Sequence, residues 1–326
     1  MSNTSNNASM RISLFEPFVE IDLDLPDRRD GKVRSSWSCG DQQRLIVTTD
    51  RLSAFDRVLA GVPYKGQVLN ELAAWWFEQT ADIIANHVMS VPDPNALVAR
   101  EAVPLTVEVV VRGYITGVTD TSIWGMYQDG ARTMYGYDFP DGLQKNTQLP
   151  APIVTPTTKA QQGGHDEPLS SSEVVERGLV DRDLWGRVVD AALAVFQRGV
   201  AVGADAGLIL ADTKYEFGVT ADDELILIDE MHTPDSSRWW MADSYFGRLT
   251  AGDEPESLDK EVVRRAFADI GYRGDGPIPA LPPEVWSATT ARYIVAYERL
   301  TGTPFSPGSY PVADRLTANL TKAGLL

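Results

Sequence analysis

A chain of 326 residues, 43% of them hydrophobic, carries enough apolar surface for a sizeable core, in one large domain or in two lobes. Its formal charge of -17 argues against a nucleic-acid or anionic-membrane partner, since both require a basic face. A single cysteine, Cys39, excludes an intramolecular disulfide and a multi-cysteine metal site, and fits a reducing, cytoplasmic compartment.

The opening MSNTSNNASM lacks the basic start and apolar run of a secretory leader, so residues 1–10 read as a disordered tail. No later run approaches the ~20 apolar residues of a membrane span. Residues 11–103 read as a smaller β-rich lobe, with strands and turns in GKVRSSWSCG, QRLIVTTD and VLAGVP. Gly31, Lys32 and Arg34 sit in a glycine-containing turn of the kind that covers nucleotide phosphates, although it is neither a Walker motif nor a full kinase glycine loop. In TDRLSAFD, Asp50, Arg51, Ser53 and Asp56 gather at a strand-end turn; the ordinary reading is a structural Asp–Arg pair with a capping serine. Leu72, Trp76, Phe77 and Ile84 then recur at helical spacing within NELAAWWFEQTADIIANH, an amphipathic helix for that sheet.

Residues 104–326 read as a larger α+β lobe. VPLTVEVVVRGYITG begins as a strand and ends in a glycine turn, placing Arg112 where it meets an anion or pairs with Glu108. The stretch 116–162 is long for a connector and reads as a functional or disordered loop. Within TPTTKAQQGGHDE, Lys159 sits among hydroxyls, while His165, Asp166 and Glu167 read as solvated or structural, with no metal assigned to them. Helices follow in DLWGRVVDAALAVFQRGVAV, SLDKEVVRRAFADI and PPEVWSATTARYIVAYERL. The fold class is α+β, a mixed α/β arrangement.

LILADTKYEFG starts as a buried strand and then places Asp212, Lys214 and Glu216 at every second position, on one face, with Thr213, Tyr215 and Phe217 on the other. An edge strand with a solvated polar face would read the same way. The turn VTADDE and a second apolar run, LILIDEM, predict a hairpin. A turn centred on Asp222 and Asp223 sets Glu216 directly across from Asp229, and facing like charges call for a cation between them. Mg²⁺ suits two carboxylates, with Lys214 near a substrate or nucleotide oxygen. A longer turn would leave the same acids solvated. In HTPDSSRWW, Asp235, Ser236, Ser237 and Arg238 follow the second strand as a multi-donor anion contact.

These segments, in this order and together with KGQVLNELAAWWF and ARYIVAYERLTG, resemble the phosphoribosylaminoimidazole-succinocarboxamide synthase (SAICAR synthase) family. The resemblance runs from about Gly31 to Tyr297, and DTKYEFG and TPDSSR carry most of it. It implies a two-lobed fold related to ATP-grasp and kinase-like folds with a nucleotide cleft between the lobes. It also implies ATP-dependent joining of the CAIR carboxylate to the amine of L-aspartate. In this resemblance Lys32, with Gly31 and Arg34, contacts ATP phosphates; Glu216 and Asp229 hold Mg²⁺; Asp212 and Lys214 orient the reacting carboxylate and phosphoryl group. Arg112 and Arg238, with Ser237 and Asp235, bind the ribonucleotide, and Asp56 and Lys159 line the same cleft. The chain departs from the family pattern at Val118, where a serine helps to hold substrate phosphate, and at Ser35 and Gly164. Thr119, Thr121 and Ser122 are candidate substitutes for the lost hydroxyl. These departures leave open a related ligase acting on another azole carboxylate nucleotide. A small-molecule kinase and a non-catalytic nucleotide-binding protein are the remaining alternatives.

Overall fold

The computed structural model describes residues 15–118, 122–159 and 167–326, so the expected tail at 1–10 lies outside the described residues. The chain begins with β1 (Arg29–Asp30), β2 (Arg34–Gly40) and β3 (Gln43–Thr48), then a hairpin of β4 (Arg51–Ala54) and β5 (Arg57–Gly61). Helix α1 (Lys65–Gln79) precedes β6 (Val88–Asp93) and β7 (Ala96–Arg100). The first sheet has the order β1-β2-β3-β7-β6 and is antiparallel throughout. Alternation in β3 sends Leu45 and Val47 into the core, where they meet Trp37 of β2.

Helix α1 starts five residues before the expected NELAAWW segment and stops at Gln79. Its start depends on distant parts of the chain. Tyr64, at φ 65°, offers no side-chain cap, and the buried Asp50 instead accepts from the Gly66 N–H at 2.9 Å. A Cβ on Gly66 would stand 2.5 Å from the Thr48 carbonyl oxygen, so only glycine lets the first turn press against the end of β3. Asp50 also accepts from the Phe18 N–H and the Tyr310 hydroxyl, which makes it a structural hub rather than a partner of Arg51.

The second sheet is built from β8 (Val103–Pro104), β9 (Val107–Tyr114), β12 (Gln148–Thr158), β13 (Leu208–Val219), β14 (Leu225–Ile228) and β15 (Ser237–Met241). Between β9 and β12 stand α2 (Ile123–Gln128), β10 (Thr133–Met134) and β11 (Tyr137–Asp138). Much of the stretch expected to be a long loop is therefore folded: Ile115, Ile123, Tyr127, Met134, Phe139, Leu149 and Ile153 bury one another in a separate apolar cluster. Helices α3 (Ser171–Glu176) and α4 (Arg182–Asp205) lead into β13, and α5 (Ala242–Ala251), α6 (Glu261–Asp269), α7 (Pro283–Thr301) and α8 (Val312–Lys322) complete the chain. The fold is mixed α/β, as expected.

Strand β13 is the axis of this sheet, with β9 on one edge, β15 on the other and β14 and β8 at its C-terminal end. One face carries Tyr215 and Phe217 into the main core, against Val188, Ala192, Val195 and Phe196 of α4 and the stacked pair Trp76 and Trp239. The C-terminal helix α8 returns to the first sheet, where Val312, Leu316 and Leu320 join Trp37 and Leu45 and Arg315 grips the buried Asp93 at 3.1 Å through two nitrogens. Among the described residues no helix is long and apolar enough to cross a membrane.

Candidate active site

Strand register builds the first part of the site. Asp212 lies directly across from Arg112 on β9 and from Arg238 on β15, so one acid stands between two arginines of neighbouring strands. Its Oδ2 accepts from Arg112 Nη1 at 3.2 Å and from Arg238 Nη1 at 2.5 Å. Arg112 also donates to Thr155 Oγ1 at 2.9 Å, and Arg238 reaches Glu261 of α6 at 3.5 Å. Arg112 is thus paired with Asp212, not with Glu108.

Two residues along the same face, Lys214 lies among three carboxylates. Its Nζ is 3.2 Å from Glu108 Oε1 and 3.8 Å from Asp229 Oδ2, and it donates to Glu216 as well. The expected hairpin register is off by one: Glu216 faces Ile228, and Asp229 is the first residue beyond β14. In a regular strand that slip would turn Asp229 to the other face. Instead Asp229 takes a left-handed conformation, φ 66°, and its carboxylate swings back to Lys214 and to Arg34, which it meets at 2.6 Å. The two acids converge through backbone geometry rather than cross-strand pairing.

Burial pushes the Lys214 ammonium down, but Glu216, Asp229 and Glu108 outweigh it and hold the group well above its usual range. Burial pushes the Glu216 carboxyl up, and Lys214 and Lys159 reverse the shift, holding it well below the carboxylate range. Asp229 goes the other way: burial, with repulsion from Glu216 and Glu230, raises it to about 6 despite Arg34 and Lys214. Two crowded carboxylates with one resisting ionisation form a site that a further cation would relieve. Among the described residues no group of three or more acids, histidines and cysteines could enclose a metal. Two carboxylates nevertheless suit Mg²⁺, which keeps waters and phosphate oxygens as its other ligands.

The residues to which the family resemblance gave nucleotide, metal, substrate or catalytic roles, from Gly31 and Lys32 to Arg238, all line one cleft of about 740 Å³. Lys32 reaches Asp56 at 2.6 Å across the mouth; Phe55 and Asp56 form the two-residue β4–β5 turn, with φ 52° and 56°. Lys159 pairs with Glu216 at 2.5 Å. Ser237 donates to Thr213 at 2.7 Å, and the Asp235 side chain is almost fully buried. Val118 lines the cleft where a hydroxyl was expected; Ser122 caps α2 by accepting from the Gly125 N–H, and Thr119 and Thr121 lie outside the described residues. His165 and Asp166 also lie outside them, and Glu167 pairs at the surface with Arg177.

Sequence reasoning gave no site role to Glu108, Glu230, Lys260 or Arg264, which line the same cleft. Lys260 and Arg264 are four apart at the start of α6, a spacing that puts both on one helical face. Nothing local indicates that this face meets the cleft: its placement comes from Val263 and Phe267 packing against Leu52 and Val62.

A central strand presenting acid, lysine and acid beside two arginines, in a cleft lined by further cations, defines an enzyme-type site for anionic substrates and phosphoryl or carboxylate chemistry. The SAICAR synthetase family matches residues 27–277, and the chain belongs to it. A phosphoribosylaminoimidazole-succinocarboxamide synthase of Legionella pneumophila (strain Lens) is 47% identical over 312 residues, covering 93% of this chain and 98% of that protein. The chloroplastic enzyme of that name from Arabidopsis thaliana is 46% identical, covering 92% of this chain and 73% of that protein. Among solved structures, a SAICAR synthase from Saccharomyces cerevisiae in complex with SAICAR superposes with a TM-score of 0.76 at 32% identity, over 89% of this chain and 100% of that one.

Proposed function

We propose that the chain is an ATP-dependent ligase that joins the carboxylate of CAIR to the amine of L-aspartate, giving SAICAR, ADP and phosphate in purine biosynthesis. The observation that carries this reading is the strand β13 row, Asp212 between Arg112 and Arg238 followed by Lys214 among Glu108, Glu216 and Asp229, within a family whose relatives bear that name. A carboxylate is a poor electrophile; transfer of the terminal phosphoryl group of ATP makes it an acyl phosphate, and the amine of aspartate then displaces phosphate. The chain's part is positioning and charge neutralisation.

Arg112 and Arg238, held by Asp212, present guanidinium groups to the phosphate and carboxylate of the ribonucleotide, with Ser237 and Asp235 alongside. Lys214 keeps its proton and neutralises charge where the phosphoryl group passes. Lys32, with Gly31 and Arg34, covers the ATP phosphates from the mouth, exchanging the exposed Asp56 for a phosphate oxygen. Lys159 lines the same end. Glu216 and Asp229 are the residues that would hold Mg²⁺, whose charge would offset that of the phosphates. In this reading the chain divides near residue 103 into two lobes, one around each sheet, with α8 returning to the first; the fold is related to ATP-grasp and kinase-like folds, and the protein works in the cytoplasm on small molecules.

The test is ADP release by the purified protein with Mg²⁺-ATP, CAIR and L-aspartate, omitting each in turn. Release requiring both CAIR and aspartate supports the reading. Val118 favours one second reading, a ligase that adds aspartate to another azole carboxylate nucleotide, and absence of turnover with CAIR beside intact ATP binding would select it.

A further inference from the structure

The first residue of α1, Lys65, is fully buried and lies outside the cleft lining, and its Nζ is 2.9 Å from Asp235 Oδ2. Asp235 is the only carboxylate within ion-pair reach of that ammonium among the described residues. The other oxygen, Oδ1, accepts from the Tyr293 hydroxyl of α7 at 2.7 Å. One carboxylate oxygen is therefore held by a hydrogen bond from α7 and the other faces the α1 ammonium at ion-pair distance, while each retains a lone pair for a ligand in the cleft that Asp235 lines.

Burying an ammonium and a carboxylate is costly, and a well-packed apolar pair of the same volume would commonly serve stability as well or better. The pair is explained by a need for the charge on Asp235. The close seating of Gly66 against Thr48 sets where the first turn of α1, and with it Lys65, lies. We propose that Lys65 is a positioning residue, whose ammonium holds the Asp235 carboxylate ionised and aimed at substrate, tying the first turn of α1 to the substrate end of the cleft.

The electrostatics agree. Burial pushes the Asp235 carboxyl up, and the charges of Lys65 and Lys260 with the hydrogen bond from Tyr293 outweigh it, holding it well below the carboxylate range. The other charged groups around the pair are Arg34 from β2, Glu230 beyond β14, and Asp259 and Arg264 from the α6 region. None of them replaces Lys65 as a partner within ion-pair distance of Asp235 among the described residues.

The inference rests on the proposed reading of Asp235 as a substrate contact, so the experiment has one arm that needs no turnover. In the full-length protein, ¹³C NMR of aspartate carboxyl carbons, assigned with Asp235→Asn, follows Asp235 through pH in wild type, Lys65→Met and Tyr293→Phe. We expect an ionised carboxylate down to about pH 4 in wild type and titration near or above about pH 6 in Lys65→Met, with a smaller shift of the same sign in Tyr293→Phe. In the ligase assay, kcat/KM of Lys65→Met should fall about twofold or more at about pH 6 and less at about pH 8.5, an acid limb that a packing defect would not produce. An unchanged Asp235 titration overturns the proposal, as does an activity loss of equal size at all pH values. If Lys65→Met fails to fold, Tyr293→Phe, which loses one hydroxyl, decides by the same titration. Absence of turnover in the wild type would count against the ligase reading alone, while the titration still decides whether Lys65 is the counter-ion.

Discussion

Lys32–Asp56 and Arg238–Asp212 both line the cleft, at 2.6 and 2.5 Å, yet the first pair's side chains are 54% and 68% exposed and the second pair's 18% and 6%. Distance alone would rank them equal. Water and salt screen the first pair, so it contributes at most about 1 kcal/mol and can trade its partner for a phosphate at little cost. Breaking the second leaves a buried charge with only a longer contact, Arg112 at 3.2 Å for Asp212 or Glu261 at 3.5 Å for Arg238, a loss of up to about 3–5 kcal/mol. The exposed pair is an adjustable rim, whereas the buried one determines the shape of the site.

The sharpest way to break this contrast is Asp212→Asn, which leaves Arg112 and Arg238 without their shared charge. Steady-state kinetics should show kcat/KM down ~10³-fold or more, and urea denaturation a loss of about 3 kcal/mol; a change under tenfold would put Asp212 on the rim. Lys214→Met should follow, with kcat lowered ~10²-fold as Glu108, Glu216 and Asp229 repel one another. For Glu216→Ala, the Mg²⁺ concentration for half-maximal ADP release should rise ~10-fold, and an unchanged titration would remove Glu216 from the metal site. At the rim, Lys32→Ala should raise KM for ATP by less than ~10-fold and leave stability within about 0.5 kcal/mol.

The smallest effect lies outside the cleft. Burial raises the Glu71 carboxyl of α1 from 4.5 to about 7, against a hydrogen bond from Gln67. The folded protein therefore holds this proton more tightly than the unfolded chain, and ionisation destabilises the fold progressively from about pH 4.5 to about pH 7. Partial exposure screens the penalty. Glu71→Gln should stabilise by about 1 kcal/mol at about pH 8 and leave stability at about pH 4 unchanged, as read from denaturant midpoints.

Period-two alternation in DTKYEFG is enough to put Asp212, Lys214 and Glu216 on one face, because side-chain direction in a strand is a local property. The ordered motifs that resemble one family brought in the arginines and the glycine turn. Register was less accessible: a turn shifted by one residue separates Glu216 from Asp229 on paper, and the left-handed backbone at Asp229 brings them back together. No alternation pattern encodes that rescue. The segment 116–162 reads as loop because it is rich in Gly, Pro, Thr and Asp and long for a connector, and its apolar side chains settle by burying one another.

By itself the sequence determined the mixed α/β class, the charged face of β13 and the residues that would handle anions, because periodicity and side-chain chemistry are written residue by residue. Tertiary structure alone decided who pairs with whom. Arg112 chose Asp212 over Glu108 because β9 and β13 align them, α1 began at Lys65 because Asp50 caps it from the bend between β3 and β4, and Lys260 and Arg264 reached the cleft because α6 packs on β4 and β5. Those choices turn on distance and burial between segments far apart in the chain, which the fold must form before the physics can select among partners.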